Sequence, residues 1–394
     1  MIDYAMERTA SRKNRVKVQP ELLRWARERA RLSADDLEAK FPNLGRWEKK
    51  ELDPTLKQLE AYAKATRAPI GYLFLAKPPD EPLPIPDFRT IANQEVKRPS
   101  PDLLDTIYIC QQRQDWYRSY AISNEQSLLQ FVDSATVDDN VMDVAKRMRE
   151  ALGFDLDARR NCPTWTEALR LFIKQADAMG VLVMCSGVVM NNNRRRLDPR
   201  EFRGFALADD RAPLVFINGA DTKAAQMFTL SHELAHLWLG SSALSDATVV
   251  PRWGNAVEGW CNRVAAELLA PQAIVAAELN SSESLAVLIN RLARRFKVST
   301  LVILRRLLDV GYFNEKAFQQ AYDTELQRLA DLPERASGGD FYLTTAARVS
   351  KRFARALVES TLEGRTLYRD AFRLLGISKT ETFLELGRSL KFNV

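Results

Sequence analysis

Both histidines of this chain lie four residues apart, in Ser231-His232-Glu233-Leu234-Ala235-His236. Positions i and i+4 share one face of a helix, so both imidazoles can point at one metal ion. Glu233 lies between them, roughly a third of a turn round the helix, placed to hold a water on that metal. No histidine is spent elsewhere. That economy predicts a zinc peptidase or a descendant of one.

A catalytic zinc site takes three protein ligands and keeps one position open, and the third ligand here cannot be a histidine. Downstream, Glu258-Gly259-Trp260-Cys261-Asn262 opens a stretch of helical period that continues through Val264, Leu268 and Leu269. Glu258 and Asn262 are again i and i+4, and both face the metal helix if the three apolar residues face the core. Glu258 is then the third ligand, and Asn262 accepts a hydrogen bond from a ligand imidazole, fixing its tautomer. Glu267 competes for the ligand role, but it faces differently and reads as a surface or supporting residue. Cys261 points about 60° away from Glu258 and reads as a buried thiol. The two-histidine motif alone falls about as often in an ordinary amphipathic helix. The second segment decides for the metal.

His232-Glu233-Leu234-Ala235-His236, Glu258-x-x-x-Asn262 and Ala265-Ala266-Glu267-Leu268-Leu269-Ala270-Pro271 together resemble the ImmA/IrrE metallopeptidases of the gluzincin group, over roughly residues 150–310. The resemblance implies His232, His236 and Glu258 as ligands of Zn2+, Glu233 as general base and Asn262 in support of the ligands. It also implies peptide hydrolysis, in which zinc acidifies its water, Glu233 takes the proton and the hydroxide attacks a polarised carbonyl. The oxyanion still needs a donor. With no spare histidine, a Tyr, an Arg or a backbone N–H must serve.

The elements that position these residues follow from the rest of the pattern. At 394 residues the chain exceeds one ordinary core, and 46% hydrophobic with 27% charged residues describes an ordinary folded protein. A net charge of +6 permits nucleic-acid contact without demanding it. Cys110, Cys162, Cys185 and Cys261 are widely spaced, as free thiols in a reducing cytosol would be. No apolar run approaches a membrane span and no signal-peptide core precedes the first helix, so the expected location is the cytoplasm.

The expected class is α+β and mostly helical: an N-terminal helical domain, a small mixed zincin core and a C-terminal helical domain. Residues 1–76 form the first, residues 77–101 a proline-rich extended linker, and residues 102–150 a helical connector. In 102–150, Leu128, Leu129 and Phe131 are read as helical. The peptidase domain spans 151–312, with a strand near Gly180–Met184 and a hairpin about Asp209-Asp210-Arg211. Asp221 or Thr222 caps the metal-binding helix. Residues 313–394 read as helix throughout, broken at Gly338-Gly339, and carry no recognisable chemistry.

Leu32-Ser33-Ala34-Asp35-Asp36-Leu37, Arg46-Trp47-Glu48 and Pro54-Thr55-Leu56-Lys57-Gln58-Leu59 resemble the helix-turn-helix domain of Xre-type repressors. Only five residues separate Phe41 from Trp47, where those repressors hold a turn and most of the recognition helix. The favoured reading is therefore a dimerisation or partner-docking module, which would make a homodimer. The alternative is operator DNA binding, with Arg12, Lys13, Arg15, Lys17 and Arg46 on the nucleic acid. Asn290 to Tyr312, with Arg305-Arg306-Leu307-Leu308, resembles the helix pair that follows the catalytic core in the ImmA/IrrE family. Its basic surface could touch nucleic acid, and covering the active-site helix is the plainer role.

Two functions follow. The first is a regulatory zinc endopeptidase cleaving a specific protein, a repressor or the product of a neighbouring gene, in a stress, mobile-element or defence system. The second is an antitoxin-like partner or transcriptional regulator that neutralises a PIN-like ribonuclease toxin, with the peptidase fold as scaffold. Long relatives of this layout carry the second reading by analogy.

Overall fold

The computed structural model describes residues 15–87, 98–245, 256–280, 282–331, 346 and 348–392. The chain divides into two units, Met1–Leu83 with Val96–Leu104, and Pro84–Glu95 with Asp105–Val394.

The first unit holds α1 (Pro20–Arg29), α2 (Ala34–Glu38), α3 (Leu44–Glu48), α4 (Leu56–Thr66) and a 3-10 turn, Ile70–Phe74. Its helix starts are written locally. Ser33 forms a capping box with Asp36, and Thr55 forms one with Gln58. Leu22, Leu23, Trp25, Trp47, Leu59 and Tyr62 make its core. The third helix is five residues long, and it buries Leu44 and Trp47.

The second unit begins its helices with α5 (Pro101–Ser123), of which residues from Asp105 onward belong here, then α6 (Val141–Leu152), α7 (Leu156–Arg160) and α8 (Trp165–Met179). Leu128, Leu129 and Phe131 lie in the turns between α5 and α6, not in a helix. Four strands follow around a helix: β1 (Leu182–Ser186), β2 (Gly204–Leu207), β3 (Leu214–Asn218), α9 (Lys223–Trp238) and β4 (Ala243–Ser245). Next come α10 (Ala256–Leu269), α11 (Gln272–Ala277), α12 (Leu285–Phe296), α13 (Thr300–Asp309) and α14 (Glu315–Ala330). The tail carries α15 (Lys351–Leu362), α16 (Tyr368–Leu375) and α17 (Thr380–Ser389). The fold is α+β and mostly helical, as the sequence predicts. Gly338-Gly339 lies outside the described residues, and further breaks separate α15, α16 and α17.

The strands run in the order β1-β3-β2-β4. β1 is parallel to β3, while β2 is antiparallel to both β3 and β4. The expected hairpin joins β2 to β3, and Asp209 Oδ1 closes it by accepting from Arg211 N (2.9 Å) and Ala212 N (2.7 Å). Both faces of the sheet are buried, which is why its strands read as apolar runs without alternation. Val183, Ala206, Val215 and Ile217 join the helices α8, α9 and α10 in one core. On the other face, Gln114 Nε2 of α5 donates to Leu207 O and Ala212 O (both 2.9 Å), and α15 packs on β1.

α9 lies against β2 and β3 and is flanked by α8 and α10. Every residue of it from Gln226 to Trp238 is buried, so it is apolar on nearly all sides. Thr222 caps it by accepting from Ala225 N (3.2 Å). Gly240, at φ +62°, follows the helix and lets the chain double back as β4. The other side of β4 is met by the proline-rich segment, where Pro86 O accepts from Leu244 N (2.9 Å) and Asp87 bridges Leu244 in parallel. Among the described residues, no helix is long and apolar enough to cross a membrane.

Candidate metal centre

Helical spacing puts His232 and His236 one turn apart on α9, and packing of α10 against α9 brings Glu258 to both. The three groups converge closely. His232 Nε2 lies 3.1 Å from Glu258 Oε2, His236 Nε2 lies 3.0 Å from Glu258 Oε1, and the two Nε2 atoms are 3.1 Å apart. Atoms bound tetrahedrally to one zinc at about 2.0–2.1 Å would stand about 3.3 Å apart. The cluster therefore fits a small cation, and among the described residues these three are the His/Cys/Asp/Glu group that could hold one.

Burial makes the fit more telling. His232, Glu233 and His236 are fully buried. Buried polar atoms are normally hydrogen-bonded, and each exception needs a cause. Here Ser231 Oγ and Glu233 Oε1 have no hydrogen-bond partner among the described residues. The bare Glu233 oxygen beside the cluster is a cost that a water held there would relieve. Asn262 stands close enough to His232 to favour its protonated form, the position expected of a residue supporting a ligand imidazole.

The electrostatics of the cluster show how tightly its members are coupled. Burial drives the Glu233 carboxyl up to about 8, His232 opposes that and Glu258 reinforces it. Burial pulls His232 down, but the Glu258 carboxylate outweighs it and the net direction is up. For Glu258 burial acts upward, and the charge and hydrogen bond of His232 overcome it and hold the carboxyl far below its usual range. His236 is lowered, chiefly by burial. A bound cation, as the largest local charge, would favour both carboxylates in their ionised form.

Sequence reasoning missed two residues of this site. Ser245, fully buried on β4, places its Oγ 3.4 Å from Glu233 Oε2 and 3.2 Å from His236 Nε2. Gly204, its partner in the β2–β4 ladder, faces the same helix. A Cβ at Gly204 would lie 2.5 Å from Thr229 Cγ2, 2.8 Å from Phe216 O and 3.1 Å from Glu233 Oε1. The missing side chain is what lets α9 settle onto the sheet at the Glu233 carboxylate. The only early signal was Gly240, the glycine that turns the chain back toward the helix it has just left.

Other expectations are corrected. Glu267 is neither exposed nor near the metal cluster's polar atoms: it is buried and pairs with the equally buried Arg306. Arg306 is therefore not part of a basic surface. Cys261, by contrast, is the buried thiol the sequence predicts, and burial raises it well above its ordinary range.

Among the residues expected to meet nucleic acid, Arg12 and Lys13 lie outside the described residues. Arg15 donates to Asp53 O, Lys17 is exposed, and exposed Arg46 stands 3.9 Å from Glu51. The structure does not draw these residues into one charged groove on α3, which is too short to present several side chains.

Residues 176–308 match a peptidase family model, Peptidase M78, described as the IrrE N-terminal-like domain. The match begins late in α8 and takes in the whole sheet, α9 and α10, and so every residue of the metal cluster. Residues 349–389 match a domain of unknown function (DUF8813). No curated protein shows significant similarity to the chain.

Proposed function

We propose that this protein is a regulatory zinc endopeptidase that cleaves a specific protein partner, a repressor or the product of a neighbouring gene. One observation carries the reading: two imidazole nitrogens and one carboxylate meet within 3.0–3.1 Å beside a buried second carboxylate. A peptidase-type family match over the same residues supports it. Nitrogen and carboxylate donors in this ratio suit zinc.

When bound, a zinc ion at these atoms supplies a Lewis acid that polarises a carbonyl and acidifies a water. The protein supplies the rest. Glu233 holds the nucleophilic water, accepts its proton as the carbonyl is attacked and returns that proton to the departing amine. Burial excludes bulk water and strengthens each of these contacts. Asn262 keeps His232 oriented.

The test compares the wild type with Glu233→Gln, each co-expressed with the product of the adjacent reading frame. The expected result is fragments of that product with the wild type, and an intact product with a variant that still binds one zinc. A variant that protects or represses as well as the wild type would sink the catalytic reading.

A second reading treats the fold as a scaffold that neutralises a toxin-like partner. The full burial of His232, Glu233 and His236 favours it, since a protein substrate must reach them. A stable complex formed without proteolysis, by wild type and Glu233→Gln alike, would decide for it. The short α3 fits a docking or dimerising role for the N-terminal unit better than base reading in a major groove.

A further inference from the structure

We propose that Ser245 is the positioning residue of the catalytic carboxylate, holding Glu233 in line from the edge of the sheet. The inference rests on the peptidase reading above and adds a residue to its machinery. Four observations carry it.

The hydroxyl is fully buried, and its recorded polar neighbours are Glu233 Oε2 at 3.4 Å and His236 Nε2 at 3.2 Å. A serine has one hydrogen to donate. Once His236 Nε2 gives its lone pair to a cation it can no longer accept, and the hydroxyl hydrogen is left to the Glu233 carboxylate. The second oxygen of Glu233, Oε1, has no hydrogen-bond partner among the described residues. Ser245 is thus its tether.

The register of the sheet makes the tether one half of a cradle. Ser245 pairs directly with Gly204, and directly opposed residues project to the same face. Gly204 leaves the space that Glu233 Oε1 fills, while Ser245 meets Oε2. One position receives each oxygen. A larger residue at the first or an apolar one at the second would let the carboxylate turn away.

The backbone beneath the serine is held on both sides. β2 pairs with β4 from Ala243 to Ser245, and Pro86 O accepts from Leu244 N on the opposite edge. A functional side chain on a strand paired on both edges is placed more closely than one on a free loop. A carboxylate displaced by about 1 Å from its working position costs on the order of 100-fold in rate.

The experiment is a double-mutant cycle on the full-length, zinc-loaded protein. Serine is replaced in Ser245→Ala and Ser245→Thr, each alone and with Glu233→Gln. Zinc affinity is read by competition with a chelator. Acetohydroxamate, whose hydroxyl can bond the catalytic carboxylate, is titrated by calorimetry, and cleavage of the partner protein is followed where the wild type cleaves it.

Ser245→Ala should keep zinc affinity, lower kcat by about 10- to 100-fold with KM unmoved, and weaken acetohydroxamate by about tenfold. Ser245→Thr, which keeps the hydroxyl, should restore most of both losses. In the Glu233→Gln background, Ser245→Ala should add nothing, because the serine acts through that carboxylate.

Loss of zinc affinity in Ser245→Ala would make the serine a ligand and overturn the proposal. An equal loss of acetohydroxamate in both backgrounds would overturn it too, as a direct contact. Thermal melts of Ser245→Thr separate either result from misfolding. A wild type that takes up acetohydroxamate without cleaving a partner defeats the peptidase reading alone, and the cycle still decides the role of Ser245. A wild type that takes up no acetohydroxamate defeats both.

Discussion

The two ends of α10 each carry a glutamate that faces the protein interior, and they use it in opposite ways. At the first turn, Glu258 meets two imidazoles, beside a Glu233 whose Oε1 has no hydrogen-bond partner among the described residues. At the last turn, Glu267 pairs with Arg306 and also accepts from Gln272 N (3.1 Å). The carbonyls there are capped as well. Arg149 donates to Glu267 O (2.9 Å), Arg159 to Leu269 O, and Arg306 Nε to Ala270 O (2.9 Å). An acid at the N-terminus and three arginines at the C-terminus both complement the helix dipole. The difference lies in satisfaction. A buried carboxylate held by its own guanidinium and a backbone N–H supports the fold, and one that meets two imidazoles beside an unpartnered Glu233 oxygen suits a ligand.

The largest break in that contrast is Arg306→Ala. It strips a buried carboxylate of its cation and uncaps α10, so stability should fall by about 3–5 kcal/mol. Urea unfolding measures the loss. Zinc affinity of the fraction that remains folded should be unchanged, because the metal cluster is built from the other end. A stability loss below about 1 kcal/mol would show that Glu267 is not held as a structural ion pair.

Glu258→Gln is the complementary break. Without metal the variant should lose the stability that the His232 pairing gives the carboxylate, and stabilisation by zinc should disappear as well. With free zinc a thousandfold above the wild-type dissociation constant, the lost increment is about 4 kcal/mol. Melting with and without zinc reads it. Equal zinc-induced shifts in Glu258→Gln and the wild type would remove Glu258 from the ligand set, and the same comparison on Glu267→Gln serves as the control.

Gly204→Ala tests the metal end from the side of the sheet. The added methyl meets Thr229 Cγ2 and the Phe216 carbonyl well inside contact distance, so overpacking should cost about 1–3 kcal/mol. Its cost should be larger for acetohydroxamate binding than for zinc binding, since the methyl presses on Glu233 and not on a ligand. Weaker zinc binding with normal acetohydroxamate uptake would contradict the cradle.

How much of this was legible in advance follows the reach of each interaction along the chain. His232, Glu233 and His236, and likewise Glu258 and Asn262, sit within one helical turn of each other, where the 3.6-residue period alone fixes who is adjacent. The cap of the metal-binding helix was readable to within one residue, Asp221 or Thr222, for the same local reason, and it is Thr222. The hairpin was readable from its turn residues. Ser245 and Gly204 were not, because their meeting depends on the register of a strand pair set by packing.

Arg306 misled because Arg305-Arg306 looks like a charged face. Periodicity says which side of a helix is buried, but not that a carboxylate waits there. Leu128, Leu129 and Phe131 misled in another way, as apolar residues in turns, with Phe131 packed at a tilt on Trp238 (4.5 Å between centroids). The tail posed the same problem at larger scale. Its apolar stripe suits either a packed helical domain or a partner surface, and in the structure α15 packs on β1 of the same unit.

A third carboxylate sharpens the contrast because it belongs to neither class. Asp177, near the end of α8, is mostly buried, accepts from Ser350 Oγ (3.0 Å) and among the described residues has no close guanidinium pair of the Glu267 kind. Burial therefore dominates and pushes its carboxyl up to about 6, against the hydrogen bonds of Ser350 and Val183 and the charges of Arg352 and Lys351. A carboxyl raised on folding binds its proton more tightly in the native state. Stability is then lost as pH rises from about 4 toward 6, and the penalty is constant above that. Asp177→Asn keeps an acceptor for Ser350 and cannot ionise. It should stabilise the protein at pH 7.5 by on the order of 1 kcal/mol, and the gain should shrink to nothing near pH 4. Urea unfolding of both proteins across that range measures the difference. A difference that does not change with pH would mean that Asp177 is satisfied as fully as Glu267, and that burial without an arginine is no guide to which carboxylates are held in reserve.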